Sequence, residues 1–195
     1  MQPPYALAGS VSGCASPGTP GCAGLLSKLP EVDGLREAYA DAIVFLLSIQ
    51  DMEPIADILA SAAWAVKPSG RLVILMHHPC FRIPRQSGWG WDDERKLQYR
   101  RIDSYLTPMT VPVRPIAHGQ PGSIQAHHQP LHVYINGLIE NGFVIDRMVE
   151  VPAYPAIVRR GKRSQAENRA NSEIPLYMAI RAVASRRRPC VRLET

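Results

Sequence analysis

The chain lacks several things at once. Its four cysteines, Cys14, Cys22, Cys80 and Cys190, share no C-x-x-C spacing. Neither a disulfide framework nor a paired-thiolate metal site is written into such a pattern, and a reducing cytoplasm is the expected setting. No apolar run approaches the ~18–20 residues a membrane-crossing helix needs, so no membrane span is expected. No Lys or Arg stands before Lys28, and the opening stretch has no long apolar core, so it does not read as a secretory signal. No internal repeat is visible.

What is present suits a globular domain. With 195 residues, 46% of them hydrophobic and 20% charged, one core can be built. The formal net charge of +5 is largely local. Arg159, Arg160, Lys162 and Arg163 make one basic run, and Arg186, Arg187 and Arg188 another. Such runs can hold phosphates, but they read first as a solvated loop and a tail. Nucleic acid is not an expected partner.

Three regions follow. Residues 1–40 are rich in Gly, Pro and small side chains at first and show no period, so they are expected to be irregular. Order begins at Asp41. DAIVFLLSI, 41–49, is nearly continuous in apolar residues, the pattern of a strand buried on both faces of a parallel sheet. Asp51, Glu53 and Pro54 then suit a helix start, and Ile55, Ile58, Leu59, Ala62 and Val66 form a helical stripe. KPSG, 67–70, ends that helix, and RLVILMH, 71–77, is a second apolar strand. Strand, helix and strand make one βαβ unit with a right-handed crossover. A helix over 129–142, closed by Gly142, is expected from the stripe of Leu131, Tyr134, Ile135, Leu138 and Ile139. Strands at 143–151 and 173–183 complete the domain, 41–183, with a basic loop at 159–171 between them. Residues 184–195 are a basic tail.

Between the second strand and the second helix lies a long insertion, 79–127, of the length usually given to lids or binding surfaces. It opens on HHPCF, residues 77–81, and carries Trp89, Trp91, Tyr99 and Tyr105. His77 and His78 are candidates to orient or deprotonate a substrate, because imidazole titrates near neutral pH. The aromatics are candidates to wall a pocket. His128 and His132 are four apart at the start of the second helix, and His77, His78, Cys80, His118 and His127 are candidates to join them. Without a paired C-x-x-C or an H-E-x-x-H, no metal is expected.

The order DAIVFLLSIQDMEP, KPSGRLVILMHHPCF, HHQPLHVYINGLIENGF and IPLYMAIRA resembles the C-terminal half of class I S-adenosylmethionine-dependent methyltransferases. It is most similar to the methyltransferase type 11 subgroup, with its K-P-G-G loop, apolar strand, H-P-C-F, H-R-P helix start and A-G-F helix end. Here Ser69 replaces a Gly, Gln129 replaces the Arg, and Asn141-Gly142-Phe143 stands at the helix end. The resemblance implies an α/β, Rossmann-like sheet, mostly parallel with an antiparallel last strand. It implies S-adenosylmethionine as cofactor and a small-molecule acceptor. Phe45, Leu46, Leu47 and Ser48 would line the cofactor. His77, His78, Trp89, Trp91, Tyr105 and His128 would face the acceptor.

The family's glycine-rich cofactor turn, set between a strand and a helix, has no counterpart in that context. GSVSGCASPGTPGCAG has glycines but neither flanking element. The sheet is therefore expected to be incomplete at its N-terminal half, and the chain to read as a truncated or altered-start form. An apolar strand left at an edge is a pairing hazard, so a homodimer through that edge is an expectation. A non-catalytic interaction module is the rival function.

Overall fold

The computed structural model describes residues 36–113, 124–152 and 161–185. The expected irregular segment up to residue 35, the glycine-rich stretch, His118, Arg159, Arg160 and the tail arginines lie outside the described residues.

The centre is a four-stranded sheet. Strand β1 (Ala40–Leu46) leads through a short 3-10 turn (Ile49–Asp51) into helix α1 (Ile55–Ala65) and strand β2 (Val66–His77). β1 and β2 pair in parallel, from Ala42↔Arg71 to Leu46↔Leu75, so the expected βαβ unit is present. Strand β2 starts earlier than the apolar pattern marks. The KPSG stretch bends within the strand instead of forming a separate loop, with Ser69 at a φ of 64°. Lys67 there reaches back 2.7 Å to Asp41 at the start of β1.

Two β-hairpins occupy the 79–127 insertion, where the sequence showed only a long loop. Strands β3 (Ser87–Asp92) and β4 (Leu97–Ile102) form one, and β5 (Met109–Val113) and β6 (Ile124–His128) the other. Period-two alternation is present in SGWGWD and LQYRRI but is masked by glycine and arginine. Gly90 pairs with Tyr99. A Cβ there would come within 2.4 Å of the tyrosine ring, so glycine is what lets the ring lie across the strand.

Helix α2 (Leu131–Glu140) ends as expected. Gly142, at a φ of 78°, takes the left-handed conformation that closes it, and its N–H donates to the Ile139 carbonyl at 2.9 Å. Strand β7 (Phe143–Pro152) follows, then helix α3 (Lys162–Glu173), then strand β8 (Pro175–Ala184). Helix α3 corrects the basic-loop expectation. KRSQAENRANSE is rich in helix formers but has no apolar stripe, so periodicity alone could not find it.

The strand order is β1-β2-β8-β7, with β8 antiparallel to both neighbours. The sheet is mixed. Strands β1, β2 and β7 run one way, and the last strand of the chain, inserted between β2 and β7, runs the other. Helices α1 and α2 cover one face. Ile58, Leu59, Ala62, Tyr134 and Leu138 pack on Leu72, Ile74, Met76, Met178, Ile180 and Ala182.

A cleft at the carboxyl tips of the parallel strands

The carboxyl ends of β1 and β2 lie side by side, because the strands are parallel and in register to Leu46↔Leu75. Beyond those tips the chain turns on both sides. Beyond β1 come Leu47, at a φ of 50°, Ser48 and the 3-10 turn that carries Gln50 and Asp51. Beyond β2 come His78, Pro79, Cys80, Phe81 and Arg82. In open α/β sheets this rim is where ligands bind.

A cleft of about 330 Å³, counting its open mouth, lies there. Its walls include Gln50, His77, Arg82, His127, His128 and Tyr134. His77 stands over Tyr177 with ring centroids 5.8 Å apart. Burial, helped by the positive charge of Arg82, pushes its pKa down to about 4, so the imidazole is neutral at neutral pH. The Arg82 guanidinium lies 5.0 Å from the centre of the Tyr177 ring.

His127 is positioned by two side chains. Its Nδ1 is 2.9 Å from Glu53 Oε2 and 3.0 Å from Thr110 Oγ1. A carboxylate can only accept, so Nδ1 carries the proton, and in the neutral ring Nε2 keeps a free lone pair. Burial raises the Asp51 carboxyl above the usual range.

His78 is held differently. It is buried, its Nδ1 accepts the Cys80 backbone N–H at 3.2 Å, and its Nε2 therefore carries the proton toward Glu150 Oε1 at 2.9 Å. Both ring nitrogens are engaged in holding the turn, and it is His77 that lines the cleft. Tyr105 is pinned as well. Its hydroxyl accepts the Leu131 N–H at 3.0 Å, its carbonyl accepts from His128 Nε2 at 2.7 Å, and the Cys80 thiol lies 3.5 Å from its hydroxyl. Burial, with the Cys80 hydrogen bond, raises the phenol above its ordinary value.

Of the residues singled out at the tip of β1, Phe45 is buried in the core, while Leu46 and Leu47 are exposed beside Ser48. Trp89 and Trp91 do not join the His77 cleft. They line a second, wider one of about 750 Å³ with its mouth, together with Gln98, Arg163, Glu167 and Asn171. Arg163 lies 5.1 Å from the Trp91 ring and Arg100 5.2 Å from Trp89. The structure thus brings His77 and His128 together and sets the tryptophans apart. Sequence reasoning passed over Gln50, Glu53, Arg82 and Thr110. Arg82 follows directly on HHPCF and Gln50 closely on Ser48, so proximity to a strand tip was the available signal. Among the described residues, no three His, Cys, Asp or Glu side chains converge to hold a metal ion, and no helix is long and apolar enough to cross a membrane.

No protein-family model and no curated protein matches the chain. Solved structures do match. An S-adenosylmethionine-dependent methyltransferase from Mesorhizobium loti superposes with a TM-score of 0.58 at 23% identity over 76% of this chain. A protein from Listeria monocytogenes assigned to the same activity superposes with a TM-score of 0.58 at 20% identity over 77% of this chain. The fold is that of the S-adenosylmethionine-dependent methyltransferases. The chain spans 64% of the length of each of these two structures.

Proposed function

We propose that the chain serves S-adenosylmethionine-dependent methyl transfer to a small-molecule acceptor, which occupies the His77–His127 cleft. The observation that carries this reading is the parallel β1–β2 pair, whose adjacent tips open onto a cleft with a neutral imidazole and a carboxylate-oriented histidine. When bound, S-adenosylmethionine supplies an electrophilic methyl on a sulfonium, and the carbon–sulfur electron pair stays with sulfur on transfer. Leu46 and Leu47, apolar and exposed beside Ser48, fit a cofactor surface at this tip. The residues of the chain would do the rest. Glu53 and Thr110 fix the His127 ring so that Nε2 can accept a proton from the acceptor's hydroxyl or amine and later release it to solvent. His128, Tyr105 and Cys80 hold the start of α2 against the rim, and orientation is most of what a methyl displacement needs.

Isothermal titration with S-adenosylhomocysteine, followed by methyl transfer from labelled cofactor, tests the reading. Micromolar binding supports it; a folded chain that gives no heat rejects it. One observation favours a second reading, an interaction module. Tyr39, Val44 and Leu46 leave large apolar surface exposed at and near β1, whose outer edge pairs with no other described strand. A homodimer through that edge would be seen in sedimentation analysis, and a strictly monomeric chain rules it out.

A further inference from the structure

Two polar atoms in the rim cleft are buried and find no hydrogen-bond partner among the described residues: Gln50 Oε1 and Arg82 Nη1. Both residues line the same cleft. Buried polar atoms are normally satisfied, and a buried charge is costly when it is not. The orientation of each group is set by the protein. The Gln50 side-chain nitrogen donates to the Leu47 carbonyl at 2.6 Å, which only an amide N–H can do, so the oxygen must be the unpartnered end. The Arg82 guanidinium is held over the Tyr177 ring, and its backbone N–H donates to the His78 carbonyl at 2.8 Å. The neighbouring His77 is neutral and offsets none of its charge. The cleft therefore offers one cationic donor and one neutral acceptor, and the complement is an anion beside a hydrogen-bond donor.

We propose that the acceptor is a carboxylate bearing a neighbouring hydroxyl or amine, with Arg82 holding the carboxylate and Gln50 accepting the hydrogen bond of the hydroxyl or amine until that proton passes to His127. A planar carboxylate matches the guanidinium fork. The Gln50 contact also deepens the function. It would hold the nucleophilic atom beside the β1 tip, where the methyl is presented. This inference rests on the methyl-transfer reading of the cleft.

The test uses the full chain with salicylate, benzoate and benzamide as probes, read by side-chain NMR of arginine Nε–H and glutamine amide groups. Salicylate is expected to shift Arg82 and Gln50 saturably, with benzoate several-fold weaker and benzamide without effect. Arg82→Gln should weaken salicylate by roughly tenfold or more, Arg82→Lys should restore part of that loss, and Gln50→Leu should bring salicylate down to the level of benzoate. Equal binding of benzoate and benzamide, or salicylate binding unchanged in Arg82→Gln, overturns the proposal. So does a loss of S-adenosylhomocysteine affinity in Arg82→Gln, because the anion would then be the cofactor's own carboxylate. A wild-type chain that binds S-adenosylhomocysteine but does not discriminate carboxylates loses this inference alone. One that discriminates carboxylates but never binds S-adenosylhomocysteine loses the methyl-transfer reading instead.

Discussion

Two rows of side chains cross the central sheet, one on each face, and they meet different surroundings. Ile43, Leu72, Ala182 and Ile145 are paired across all four strands and lie under helices α1 and α2. Leu46, Leu75, Ala179 and Val149 are paired in the same way on the opposite face. Leu72 is 1% exposed, whereas Leu46 is 66% and Val149 40% exposed. Both rows are apolar, so composition does not distinguish them. The difference teaches that a continuously apolar strand states a demand for cover on both faces, while cover itself is supplied by elements elsewhere in the chain or by a partner.

The sharpest way to break this comparison is a pair of truncations. Leu72→Ala should cost about 2–5 kcal/mol, because it opens a cavity under the helices. Leu75→Ala, on the other face, should cost clearly less. Equal losses in urea denaturation would show the two faces to be equally covered.

The next effect sharpens the contrast at the rim. Glu150 accepts the proton of the buried His78 ring. Glu150→Leu should cost about 1–3 kcal/mol by leaving that donor unpaired, whereas Glu150→Gln, which keeps an acceptor, should cost well under half as much. Equal losses would mean that solvent already satisfies His78.

A smaller effect is a pH dependence from His77. Its pKa in the folded chain is about 4, below the ordinary imidazole value of 6.5, so between those values the unfolded chain binds more protons than the folded one. Stability is then full above pH 6.5 and falls as pH drops toward 4. The melting temperature should decline over that window, and His77→Gln should flatten the decline. An unchanged slope would place the titration elsewhere.

The smallest effect belongs to the open face. Val44→Thr should change stability by no more than about 0.5 kcal/mol, as at an exposed site, while reducing any self-association seen by sedimentation. A large destabilisation would show that Val44 is covered.

Much of the frame was legible. The βαβ unit, helix α2 with Gly142 at its end, and strands β7 and β8 follow from apolar period and caps, because those elements are apolar in pattern and all but β7 bury a stripe or a face. Helix α3 and the two hairpins were not, since their stabilising contacts are cross-strand or polar: Tyr99 over Gly90, Arg163 on Trp91, Arg163 with Glu167. At the site, His77 and His128 were marked and do share a cleft. Trp89 and Trp91 were marked with them and lie in another. Arg82 and Gln50 carry no pattern of their own.

The linear order of residues determined by itself where the apolar strands and helices α1 and α2 form and which strand tips lead into polar turns, because hydrophobic periodicity and capping act within a few residues. Only the tertiary structure decided which tips become neighbours, which imidazole loses its charge, and which buried polar atoms are left without partners. Those properties arise from distances between segments far apart in the chain, and no local pattern encodes them.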